Sequence, residues 1–292
     1  MSIDLVMGML ALNACLAEVH AAPKPGLVDR LGPGSHRDMD HLTFLISASA
    51  LAPFWEKQAL VGLTGVHPTA ALAPLRKTGL CMDSAMFSST GGVNTHKGLV
   101  FALSLLLYGA GYAMFNGERP EPRAVSLYAS MAVGNCCARE LEPLGPNRPK
   151  RPLSSGERLF LEHGMTGIRG EAERGFPSIT QWGLPAFEKA MNSGASRNDA
   201  ALFCLFRLMK HGEDTNIAAR MGYGFWKRRY PEMVEPLLHL DPPFDSDAMR
   251  TLHEADRVFS ELGVSPGGAA DLLTCTIWLH DVNRFLAVDC QH

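Results

Sequence analysis

Six short stretches of this sequence set charged or amide side chains beside glycine and proline. That pairing lets bare backbone N–H groups and ions approach one small molecule. In Pro23-Lys24-Pro25-Gly26-Leu27-Val28-Asp29-Arg30, two prolines flank Lys24 and exclude helix, so the ammonium is held on extended chain. The same stretch also reads as a helix-stopping loop with solvated charges. Gly34-Ser35-His36-Arg37-Asp38-Met39-Asp40-His41 gathers His and Asp at a density that suits a divalent cation, Mg²⁺ in preference to zinc because no cysteine is near. Its plainer reading makes Asp38 the cap of the next helix and the histidines surface groups.

The third stretch, Thr90-Gly91-Gly92-Val93-Asn94-Thr95-His96-Lys97-Gly98, carries the strongest signal. It runs straight into a long apolar helix that Asn94 or Thr95 would cap. The free N–H groups of that first turn then point where Lys97 points, and flexible Gly91 and Gly92 lie just ahead. A helix start, a lysine and glycines make a phosphate site, although GxxxxGK[ST] is not satisfied. In Gly167-Ile168-Arg169-Gly170-Glu171-Ala172, Arg169 offers a planar fork for phosphate, and Glu171 is placed to orient it or to act as a base. Glu213-Asp214-Thr215-Asn216 starts a helix if Asp214 caps it, which puts Asn216 and Arg220 on one face. In Ser265-Pro266-Gly267-Gly268-Ala269-Ala270-Asp271, two glycines weaken a helix start, so a ligand or another helix must come close there.

These stretches need helices to hold them. Apolar spacing predicts helices over 4–21, 39–51 (capped by Asp38), 96–115, 122–141, 154–163, 184–191, 198–210, 246–262 and 266–285. Strand signals are scarce, so the fold class is all-α: a single large multi-helix domain, 1–292, around a buried central helix. The segment 144–152, LGPNRPKRP, is a Pro-rich connector within it. The run from Leu99 to Phe115 is at the short limit for crossing a membrane and is diluted by Ser104, Gly109 and Gly111, which favours the central helix. Cys136-Cys137 reads as buried packing.

The 292 residues carry 27 Lys and Arg against 30 Asp and Glu, so no basic surplus supports nucleic-acid or anionic-membrane binding. Any anionic ligand must be held by a few local cations. Seven cysteines without CxxC spacing, and no basic region ahead of the first helix, point to reduced thiols and a cytoplasmic setting.

Taken in order, PKPGLVD, GSHRDMD, TGGVNTHKG, GIRGEAERGF, EDTN and SPGGAADLL resemble the triphosphoribosyl-dephospho-CoA synthase family, which serves citrate lyase and malonate decarboxylase. The resemblance runs from about Glu18 to about Leu273. Three positions depart from the family pattern: Ser154-Ser155-Gly156 where Thr-His-Gly is frequent, Ala269 where Ser is usual, and Asp83 where Glu is usual. The first removes a family histidine. The resemblance implies transfer of the 5-triphosphoribosyl unit of ATP to 3′-dephospho-CoA with loss of adenine. It also implies a product passed to a carrier-protein holo-transferase.

An α-linked product from β-linked ATP requires one inverting displacement through an oxocarbenium-like state. On that reading Lys24, Arg30, His96, Lys97 and Arg169 hold the triphosphate and the CoA pyrophosphate. His36, Gly91, Gly92, Asn94, Thr95, Asn216, Gly267 and Gly268 complete the substrate site. Mg²⁺ sits on Asp38, Asp83 or Asp214. Glu171 or Asp214 is the base, Asp38 is a further candidate acid, and Asp29 or Asp271 orients cations. Two rival functions fit the same charges: a Mg²⁺-dependent hydrolase of nucleotide or ADP-ribose N-glycosidic bonds, and a non-catalytic CoA- or nucleotide-binding accessory protein.

Overall fold

Helical periodicity prevails throughout the computed structural model, which describes residues 2–144 and 151–289; no strand forms among them. Of the Pro-rich connector, 145–150 lies outside the described residues. In chain order the helices are α1 (Ile3–His20), α2 (His41–Leu63), α3 (Pro68–Ser89), α4 (Lys97–Phe115), α5 (Pro122–Val133), α6 (Cys136–Glu140) and α7 (Ser155–His163). They continue with α8 (Gly167–Glu173), α9 (Leu184–Asn192), α10 (Arg197–His211), α11 (Thr215–Met221), α12 (Tyr230–Val234), α13 (Ser246–Leu262) and α14 (Gly267–Asp289).

Helix α4 is the central element. It is apolar on every side and buried from Leu99 to Ala113 except at Phe101 and Tyr112. Helices α2, α3, α5 and α14 pack around it, and α1 lies on α2 and α14. Both α1 and α4 are long and apolar enough to cross a bilayer, but 72% of the α4 window is enclosed by protein, so its hydrophobicity is spent on the core. The glycines that dilute its apolar run are its contact points. A Cβ on Gly109 would stand 2.3 Å from the Val125 carbonyl oxygen of α5, and one on Gly111 2.5 Å from that of Ala59 on α2. From the other side, a Cβ on Gly62 would stand 2.2 Å from the Tyr108 carbonyl oxygen. Backbones of α2 and α4 therefore touch, which no larger residue permits.

Several boundaries move from their sequence expectation. Asp40, not Asp38, caps α2: its Oδ1 accepts the Thr43 N–H at 2.9 Å, while the Thr43 hydroxyl accepts the Asp40 N–H at 3.2 Å. The helix then runs through Pro53 to Leu63. Pro68–Ser89 was not expected to be helical, yet Pro68 occupies the first turn, where its missing N–H costs nothing, and Pro74 is absorbed inside. The expected 122–141 helix breaks at Gly134, whose φ is 50°.

Candidate active site

Four helix starts meet at one end of the core. At α4, Asn94 Oδ1 accepts the Lys97 N–H at 3.2 Å. The Asp271 carboxylate of α14 faces the same turn, accepting from the Leu99 N–H, and its Oδ2 lies 2.2 Å from where a Gly98 Cβ would be. Asp214 ties α11 to α14. Its Oδ1 accepts from the Asn216 and Ile217 N–H groups at 2.9 and 3.2 Å, and its Oδ2 accepts from the Ala269 N–H at 3.2 Å. Glu213 accepts from the Gly167 N–H at the start of α8.

Between these starts lies a cleft of about 240 Å³. Its walls include Lys24, His36, Asn94, Thr95, His96, Lys97, Glu171, Asn216, Gly267, Gly268 and Asp271, so the predicted stretches do bring these side chains to one cavity. Glu18, Phe44, Glu213 and Arg220 line it as well.

Lys24 is 1% exposed, and its ammonium donates to the Glu18 carbonyl at 2.8 Å and to the Glu18 carboxylate. Burial raises the Glu18 pKa, and the Lys24 charge works against that rise. The His96 ring stands edge-on to Phe44, with Nδ1 2.7 Å from the Ser47 hydroxyl. Burial, with the neighbouring Lys24 charge, depresses its pKa to about 4, so the imidazole is neutral at neutral pH. When Ser47 donates to Nδ1, the ring proton is on Nε2. His36 lies 2.8 Å from the Ser265 hydroxyl, and its pKa is lowered by burial and by Arg220. Glu171 accepts the Ser178 N–H at 2.7 Å, and burial raises its pKa. Burial pushes Asp214 up to about 6, and raises Asp271 well above the carboxylate range with help from Glu18 and Asp214.

Other predicted residues take different places. Asp214 does not line the cleft; backbone N–H groups occupy both its oxygens, so it is a clasp between helix starts and does not face a substrate. Asp29 likewise lies behind the wall, where it accepts from the N–H groups of Lys24 at 2.8 Å, Leu31 at 2.7 Å and Gly32 at 3.2 Å. Arg30 points away to the His20 carbonyl and Asn198, at 2.8 and 3.1 Å. Asp38 is 66% exposed, with only His36 near it at 3.7 Å. Gly91 and Gly92 form an exposed turn outside the cleft, with nothing near a Cβ on either.

Asp83 and Arg169 line an adjoining recess with Arg76 and Glu140, and this recess meets the cleft at Lys97, Gly98 and Ile168. There Glu140 bridges Arg76 and Arg169, the latter at 3.2 Å, and Asp83 stands 3.9 Å from the Lys97 ammonium. Asp38, Asp83 and Asp214 thus never gather. Among the described residues, Cys136, Cys137 and Glu173 are the one group of three metal-ligating side chains within 4.8 Å of one another. Glu18 and Phe44 escaped the sequence reading. For Glu18 the signal is an acid inside the buried α1 stripe of Ala14, Cys15 and Val19.

An all-α chain that aims helix starts, two lysines and an arginine at one cavity, beside carboxylates raised by burial, has a cavity suited to a polyanionic ligand and to acid–base chemistry, the combination of an enzyme acting on phosphorylated substrates. The chain belongs to the CitG family, the ATP:dephospho-CoA triphosphoribosyl transferases, whose profile matches residues 6–288. It is 37% identical over 273 residues to 2-(5''-triphosphoribosyl)-3'-dephosphocoenzyme-A synthase of Pectobacterium atrosepticum, covering 91% of this chain and 85% of that protein. Two further relatives bear that name with the prefix "Probable". The Vibrio cholerae protein is 36% identical over 289 residues (98% of this chain, 91% of that one). The Photobacterium profundum protein is 38% identical over 284 residues (96% and 88%). No solved structure matches the chain. The protein is accordingly a transferase with ATP and dephospho-CoA as substrates.

Proposed function

We propose that the cleft carries out the transfer with Glu171 as base and the first turn of α4 as the triphosphate seat. The observation that carries this reading is the meeting of Lys24, His96, Lys97 and Glu171 on one cavity. The 2′-hydroxyl of dephospho-CoA gives its proton to Glu171 as its oxygen bonds to the ribose C1 of ATP. The bond from C1 to adenine breaks in the same inversion; adenine leaves with the electron pair and takes up a proton from water, while Glu171 returns its own to solvent. Since the triphosphate stays intact, the gain in rate comes from positioning and from charge stabilisation at C1. Asp271 is a positioning residue: by holding the Leu99 N–H it fixes the turn that presents Lys97.

Glu18, Glu171 and Glu213 on the cleft wall match Lys24, Lys97 and Arg220 in number, so a triphosphate needs a counter-charge of its own. Mg²⁺ bound chiefly through phosphate oxygens fits this donor set, with Asp83 the carboxylate nearest Lys97. When bound, it neutralises phosphate charge. We propose the acyl-carrier subunit of citrate lyase or malonate decarboxylase as the destination of the product, reached through a holo-transferase.

The test is adenine release from ATP, Mg²⁺ and dephospho-CoA, with a matching mass gain on the acceptor. Glu171→Gln should abolish both at unchanged fold. Full activity in that variant would remove the base from this reading, and adenine release without dephospho-CoA would point to hydrolysis.

A further inference from the structure

Glu171 and Glu213 also wall a second chamber, of about 460 Å³, to which α4 contributes no residue. Two tryptophans face it, and both stand on departures from α-helical winding. Trp182 is on the π-helical turn Ser178–Gly183, and Trp226 on the π-helical turn Phe225–Arg229. Single π turns inside helical proteins concentrate at functional sites because they cost helix stability. The first turn is reached through Phe176, which adopts φ 55°, a conformation side chains seldom take without a reason. It has two outputs: its Ser178 N–H holds the Glu171 carboxylate, and four residues later it displays Trp182.

His211 covers one face of Trp182, with ring centroids 3.6 Å apart and planes within 6°, yet the tryptophan is still 42% exposed. Arg174 and Lys210 are the cations of the chamber; each has a carboxylate beside it, Glu171 at 3.6 Å and Glu235 at 2.9 Å, but unlike Lys24 both stay open to solvent and free to turn to a ligand. An exposed aromatic platform flanked by cations, with a carboxylate at its inner end, matches a nucleoside carrying a diphosphate whose ribose faces the acid.

We propose that this chamber binds the adenosine diphosphate end of dephospho-CoA. Its adenine stacks on Trp182, its diphosphate lies by Lys210 and Arg174, and its 2′-hydroxyl reaches Glu171 from the side opposite the ATP ribose. This assignment rests on the reading of Glu171 given above. It explains why the acid is shared by two cavities: in-line displacement requires nucleophile and leaving group on opposite faces of C1, and a wall residue open to both sides serves that geometry. The adjoining recess of Arg76, Arg169 and Asp83, continuous with Lys97, is left to ATP.

Steady-state kinetics with each substrate varied in turn tests the assignment. Trp182→Ala should raise KM for dephospho-CoA at least about tenfold, the change expected for loss of one base–aromatic stack, and leave KM for ATP within twofold. Trp182→Phe should restore most of the affinity, and Lys210→Ala should weaken dephospho-CoA in the same selective way. Lys210→Ala keeps the test decisive if Trp182→Ala does not fold. Unchanged KM for dephospho-CoA in Lys210→Ala, and in Trp182→Ala where it folds, would overturn the proposal, and a rise in Arg76→Ala would place the acceptor in the other recess. A rise in KM for ATP in the Trp182 variants would overturn it as well. Either result leaves the Glu171→Gln outcome untouched, so the failure of the chamber and the failure of the base are separately visible.

Discussion

The clasp at Asp214 makes a quantitative prediction about how stability responds to pH. Asp214 is buried, and its pKa is pushed from 3.8 up to about 6 in the folded protein. Because the folded state then holds its proton more tightly than the unfolded chain, this group contributes stability that is present below 3.8 and is lost as pH rises through about 6. A shift of roughly two units corresponds to about 3 kcal/mol. Asp214→Asn removes the titration while keeping one oxygen for the Asn216 and Ile217 N–H groups. It sets an amide NH₂ against the Ala269 N–H, a mismatch worth about 1–3 kcal/mol whatever the pH. Urea unfolding of both proteins across this pH range should therefore show wild type ahead at the acid end, with its lead shrinking by about 3 kcal/mol on the way to neutral pH. A lead that stays constant within about 1 kcal/mol would show that burial does not govern this carboxyl. Loss of kcat in Asp214→Asn without any change in stability would return Asp214 to the list of proton acceptors.

Other consequences are open to simpler assays. Gly62→Ala drives a methyl to within 2.2 Å of the Tyr108 carbonyl oxygen, so α2 and α4 must separate; a loss of about 1–3 kcal/mol or more should appear as a lower Tm. Gly98→Ala should push Asp271 off the Leu99 N–H and raise KM for ATP, while circular dichroism stays native. Glu171 must be ionised to act, and its pKa is raised by burial, so the acid limb of kcat/KM should lie above the ordinary carboxylate range and vanish in any residual activity of Glu171→Gln. Lys97→Ala should lower kcat/KM by about ten- to a hundredfold, the range for a hydrogen bond to a charged group, whereas Lys57→Ala on the exposed side of α2 should leave it unchanged.

Much of this architecture is written in local pattern. The caps at Ser154 and Ser196 and the apolar run after His96 announce their helices through residues that interact within a few positions. Helix α3 does not, because Pro68 and Pro74 mimic a loop signal and its burial depends on packing against α2 and α5, which its own residues do not announce. The same division runs through the site. Lys97 and Glu171 are legible because each sits in a segment whose glycines and charges make sense together. Arg30 and Asp38 belong to equally suggestive segments, yet only tertiary packing decides that one turns to Asn198 and the other to solvent. Glu18 shows the reverse case, since an acid on an ordinary amphipathic helix becomes part of the cleft only when Lys24 folds back against it.

That last contact bears on which anions the protein ignores. Lys24 is already matched by Glu18 in the resting molecule, so a stray inorganic phosphate gains little by displacing a carboxylate that is tethered in place and loses its own water shell in doing so. On the function proposed above, a chain of three phosphates reaches several groups at once and leaves that internal match undisturbed. On that proposal, a lysine kept occupied should discriminate against the abundant simple anions of a cell.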